Sequence, residues 1–150
     1  MTRKELREHI SRIDPEAPTA ADELASLFEQ DYQEAGRDLT DPKVIEELQS
    51  CAEDDLHHFT EKYDDLLEKI NGELRNAGAT DAQINWGLFG DVELPTIPYL
   101  RCNLMARKLI QYSYQITYCL GELKMLSKYT DRIDTDELVR IRKEYRRRFG

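Results

Sequence analysis

The segment Glu53-Asp54-Asp55-Leu56-His57-His58, continued by Glu61, Asp64, Asp65 and Glu68, holds residue types that bind metal. Asp54 and His57 are three residues apart, as are Asp55 and His58, so on a helix a carboxylate and an imidazole share a face. Carboxylate-bridged di-iron bundles repeat that pair on two helices and add an inward glutamate from each of two more. The third histidine, His9, lies far off in sequence. The apolar positions Ala52, Leu56 and Phe59 also turn His57 and its acidic neighbours outward. The segment reads as a solvated acidic face. No metal ligand, cofactor site or catalytic residue is assigned from it.

Two helical enzyme families leave partial traces. Glu61-Lys62-Tyr63-Asp64 resembles the second half of the magnesium site of MazG-type nucleotide pyrophosphatases. The first half would have to be Glu5 to Glu8, far upstream on a short helix, and the long partner helix has no acid before Glu122. Magnesium needs several converging oxygens, which this spacing does not bring together. Arg3 with His9 resembles the arginine-to-histidine spacing of HEPN ribonucleases, but Lys4 stands where a polar residue often follows the arginine. Neither trace establishes membership. No nucleophile elbow, cysteine–histidine arrangement or glycine-rich loop before a helix is present, so an enzyme is not expected.

Three features suit binding instead. Tyr112, Tyr114 and Tyr118 are interleaved with Gln111 and Gln115 and follow Arg101, Arg107 and Lys108. Rings among cations can stack bases, while tyrosines on a central helix bury their rings and hydrogen-bond at their tips. The sequence leaves that choice open. Near the C-terminus, Arg142, Lys143, Arg146, Arg147 and Arg148 crowd a short stretch with Glu144 as its acid. They suit the negative end of a helix dipole, the acidic part of this chain or a neighbour, or a phosphate partner. Trp86 and Phe89, in Asn-Trp-Gly-Leu-Phe-Gly-Asp, either cap a core or anchor an interface.

Charge divides along the chain. Residues 1–94 carry 24 acids against 9 Lys/Arg, and residues 95–150 carry 12 Lys/Arg against 6 acids, within a net charge of −9. Such asymmetry implies self-complementary packing or a basic face for an acidic partner. The overall pI near 4.9 argues against nucleic acid as the main partner.

The elements that position these residues are helices. Leu6, Ile10 and Ile13 make a short amphipathic stripe stopped at Asp14-Pro15, and Thr19 is expected to cap a second helix that ends at Gly36. Asp41 and Pro42 open a long helix in which Ile45, Leu48, Ala52, Leu56, Phe59, Tyr63, Leu66, Ile70 and Leu74 recur at helical spacing to Gly78. Residues 79–97 read as a connection. A second long helix follows to Tyr129 with apolar residues on two faces, which marks it as central. Gly121 within it suits a close helix crossing. Asp134 with Glu137 then caps a short basic helix.

The expected fold is all-α, one domain over 1–150. It is an elongated bundle on two long antiparallel helices, about 42–77 and 98–129, with shorter helices at each end. No apolar run is long enough to span a membrane, and no secretory leader precedes the first helix, so a cytoplasmic location is expected. The odd count of three cysteines without a framework suits free thiols. The expected function is non-enzymatic protein–protein binding by a small helical subunit, adaptor, inhibitor or immunity-type protein without a cofactor. It is expected as a homodimer or obligate complex, because two-sided apolar helices need covering. A nucleic-acid-associated subunit is the alternative, and a HEPN-like or metal-dependent enzyme the remote one. Partner and pathway are not legible in the residues.

Overall fold

The computed structural model describes residues 1–81 and 96–147, with side chains over 1–81 and 104–145. Among these residues the chain is helical without strands. The helices are α1 (Arg3–Ser11), α2 (Ala20–Glu34), α3 (Pro42–Asn76), α4 (Thr96–Leu126) and α5 (Thr135–Arg147).

Local chemistry sets most of the ends. The Asp41 carboxylate accepts the Lys43 N–H at 2.9 Å, and Pro42, which lacks an N–H, takes the first turn of α3. Asp134 likewise accepts from the Asp136 and Glu137 N–H groups and starts α5. Both α2 and α3 stop in the same way. The Arg37 N–H reaches the Tyr32 carbonyl and the Ala79 N–H the Leu74 carbonyl, each at 2.9 Å, around Gly36 (φ 74°) and Gly78 (φ 90°). These left-handed positions cost glycine nothing and close the last turn. Two ends differ from expectation. Thr19 has helical backbone and its hydroxyl caps nothing; the Ala20 N–H is satisfied by the Ala17 carbonyl of the preceding turn. Thr2, not singled out in the sequence, caps α1 through the Glu5 N–H at 3.1 Å.

The two long helices run antiparallel. The Phe59 and Tyr112 rings lie 6.4 Å apart, while Ile45 and Gln49 at the start of α3 line one pocket with Ser127 and Tyr129 beyond the end of α4. The α3 stripe is buried as its spacing requires: Ile45, Leu48, Ala52, Leu56, Tyr63, Ile70 and Leu74 are all core. Each fully buried aliphatic side chain contributes roughly 1.5–3 kcal/mol. Helix α4 packs against α3, α2 and α5, while α1 touches α2. It is the central helix that its two apolar faces imply.

The second α4 stripe is covered unevenly. Met125 is buried and Tyr114, Tyr118 and Tyr129 are half-buried, but Leu104 is 67% exposed. The reason lies in where the short helices sit: α2 meets α4 at Gly121, Glu122 and Lys124 and the turn after it at Lys128, and α5 meets α4 at Thr117. Among the described residues Leu104 and Val139 are the large hydrophobics left exposed.

Candidate functional site

Arg142 of α5 turns inward rather than toward a partner. Its guanidinium donates to the Thr117 hydroxyl on α4 and to the carbonyl of Pro15, with a longer contact of 3.3 Å to that of Ala17. Thr117 is 1% exposed and its own O–H donates to the Ser113 carbonyl at 3.1 Å. One side chain thus ties α5, the centre of α4 and the α1–α2 connection together. A planar fork of donors suits several carbonyl acceptors in a way that an ammonium does not. The signal was in the sequence: Arg142 lies four residues after Leu138 and three before Tyr145, on the apolar stripe of α5. Tyr145 is buried on the same stripe. Its ring meets Tyr63 edge-on at 4.9 Å, and its hydroxyl donates to Asp64 of α3 at 3.1 Å.

Lys143 is exposed on the neighbouring face and lines a groove of about 310 Å³ between α2, α4 and α5. Pro18, Ala21, Leu120, Leu138 and Val139 supply its apolar surface, with Lys124, Arg142, Lys143 and Asp136 around it. Val139 is 52% exposed. Lys124 pairs with Asp22 of α2. No sequence pattern marks this groove, because its residues come from three helices and the turn before α2. Of the other expected binding residues, Arg146 and Arg147 lie on α5 but their side chains are outside the described residues. Trp86, Phe89 and Arg148 lie wholly outside them.

The tyrosine cluster does not form one surface. Tyr112 is half-buried against Phe59 of α3 with the Lys108 ammonium 5.9 Å from its ring centre. Tyr114 is turned toward Asp14 and Glu16, and burial raises its phenol's pKa together with those acids. Tyr118 is half-buried, and burial alone raises its pKa.

The acidic segment of α3 faces solvent. Glu53, Asp54, Asp55, His57 and His58 are exposed, and His57 approaches Glu61 at 3.7 Å on the same face. Among the described residues no group of three His, Cys, Asp or Glu side chains is placed to hold a metal ion. The titratable cluster that the sequence did not reveal is interhelical. The Tyr32 hydroxyl of α2 donates to Glu122 of α4, and burial pushes both groups up from their ordinary pKa values. Cys119, one turn before Glu122, is buried and its thiol is pushed up to about 12 by burial and by Asp55 and Glu122. A thiol so protonated is inert, a packing residue. Cys51 is exposed, unlike the buried thiol its composition class suggests.

No helix among the described residues is long and apolar enough to cross a membrane. Comparison with protein-family models, with curated proteins and with solved structures finds nothing that matches this chain.

Proposed function

We propose that this protein acts by binding another protein, as a small non-enzymatic helical subunit, adaptor or inhibitor. The observation that carries the reading is the groove between α2, α4 and α5, where Val139 stands exposed beside an apolar floor. Exposed aliphatic surface in a concavity costs free energy in water and is recovered when a partner's side chains fill it. Grooves between helices are also where amphipathic segments dock. The inward use of Arg142 supports the same reading over nucleic-acid binding, because the most central cation of the basic helix holds the fold together.

The test is a pull-down from native lysate with nuclease treatment, using wild type and Val139→Glu. A partner that survives nuclease and is lost with the glutamate supports the proposal. A partner lost on nuclease treatment replaces it with the nucleic-acid reading, and one indifferent to the substitution removes the groove from the account. Light scattering on the wild-type protein alone decides whether a second copy is that partner.

A further inference from the structure

The groove between α2, α4 and α5 has a charge opposite to the chain that carries it. The protein has a net charge of −9, and the exposed face of α3 is acidic along its length. Around the groove Lys124, Arg142 and Lys143 stand against Asp136 and against Asp22, which pairs with Lys124, and the balance is one positive charge. An anionic ligand is repelled by most of this surface, and the groove is a local exception. Electrostatic complementarity of this kind selects partners and speeds encounter more than it adds affinity.

We propose that the groove receives an acidic amphipathic helix of another protein, its apolar side chains on Leu138, Val139 and Ala21 and its carboxylates toward Lys143 and Lys124. This rests on the protein-binding reading above and names its occupant. The cavity of about 310 Å³ holds a few aliphatic side chains at the packing density of a protein interior. Lys143 is exposed at the rim, so its ammonium meets a carboxylate without prior desolvation. Lys124 keeps Asp22 as its partner and, being 43% exposed, meets a ligand carboxylate on its solvent side. Among the described residues, the helices of a second copy do not offer the required segment. The acidic helix α3 has its apolar residues Ile45, Leu48 and Leu56 buried in its own core, and the apolar stripe of α1 is flanked by Arg3, Lys4 and Arg7. A phosphate backbone fits poorly as well, since it would lie against the aliphatic floor.

Fluorescence anisotropy with labelled model peptides tests the inference. The probes are a Leu/Glu amphipathic helix of about 18 residues, five turns, a Leu/Lys helix with the same apolar face, and a single-stranded oligonucleotide. The Leu/Glu peptide is expected to bind at least tenfold more tightly than the Leu/Lys peptide, and less tightly as salt screens the rim. Val139→Glu and Lys143→Glu, both at exposed positions, are each expected to weaken it tenfold or more while leaving the helical circular-dichroism spectrum unchanged. If the Leu/Lys peptide binds as well or better and Val139→Glu abolishes its binding, the acidic occupant is refuted while the protein-binding reading survives. If neither peptide responds to Val139→Glu, both are refuted. Oligonucleotide binding that Lys143→Glu removes, with no Leu/Glu binding, also overturns the inference.

Discussion

Replacing Gly121 with alanine reverses the sign that helix propensity alone assigns. In an exposed helix interior, Gly→Ala stabilises by about 1 kcal/mol. At Gly121 an added Cβ lies 2.6 Å from the Leu24 Cβ, 3.4 Å from the Ala21 carbonyl oxygen and 3.5 Å from the Leu24 Cδ1. Carbon atoms pack at about 3.5–4.0 Å, so roughly 1 Å of separation is missing. A Cβ is fixed to its backbone, and no rotamer change of Leu24 relieves the contact. Helix α2 has to move as a body, loosening the buried Ala20, Leu24 and Ala25 and the contacts of Asp22 and Tyr32 with α4 and of Glu29 with the turn after it. Overpacking a close contact costs about 1–3 kcal/mol, and this rigid case belongs at the upper end. Set against the propensity gain, the net expected loss is about 2 kcal/mol, a fall in Tm of roughly 4–8 °C at this chain length. Gly72 of α3 is the control, since nothing lies within 4 Å of the corresponding Cβ. Gly72→Ala is expected to gain up to about 1 kcal/mol. Urea unfolding of the two variants and wild type, followed by circular dichroism, reads both signs. A Gly121→Ala protein as stable as wild type or more so would refute the close crossing.

Two further outcomes follow from the polar contacts. Arg142→Met keeps the aliphatic stem but takes the guanidinium donor from the Pro15 carbonyl and one of two partners from the Thr117 hydroxyl and the Ala17 carbonyl, so a loss of about 1–3 kcal/mol is expected. Lys143→Gln next to it should change stability by no more than about 0.5 kcal/mol. Thermal melts of the pair decide this, and equal losses would mean that Arg142 is a surface charge like its neighbour. For Glu122, burial raises the carboxyl's pKa, with Asp55 adding to the rise and the Tyr32 hydrogen bond opposing it. The folded state therefore holds that proton more tightly than the unfolded chain. Its contribution is full below the unfolded value and is lost as pH rises through the folded one. Glu122→Gln should melt at or above wild type near neutral pH, with its advantage shrinking as pH falls toward the range of an ordinary glutamate. An advantage that does not vary with pH would show that the carboxyl titrates normally.

The proposed activity depends on how the two halves of the charge asymmetry are used. Ten of the 24 acids of residues 1–94 lie on α3, where Glu53, Asp54 and Asp55 face solvent. The basic half is divided. Arg142 serves the fold, Arg140 pairs with Glu137 and Glu144 along α5, and Lys143 is left at the groove. A net charge alone says nothing of that division, on which the proposed occupant of the groove rests.

Periodicity and capping chemistry are local, and the sequence by itself determined what depends on them. Asp41-Pro42 and Gly78 bound α3, the spacing from Ile45 to Leu74 fixes its buried face, and apolar residues on two sides of α4 mark it as central. The same spacing turned His57 and His58 to solvent. What only the tertiary structure decided is where segments far apart in sequence meet. Thr19 is a cap by residue type, yet the turn before it already supplies an acceptor for the Ala20 N–H. Leu104 belongs to an apolar stripe, yet it stays exposed because α2 and α5 cross α4 nearer its C-terminal end. Spacing places Arg142 on the apolar stripe of α5, but the groups it meets there lie 25 and more residues away and only the fold brings them together. The groove joins residues from Pro18 to Lys143, and no pattern of period three or four links them. Such a site is set by the angles at which helices cross, and those angles follow from side-chain shape at a few contacts such as Gly121 against Leu24.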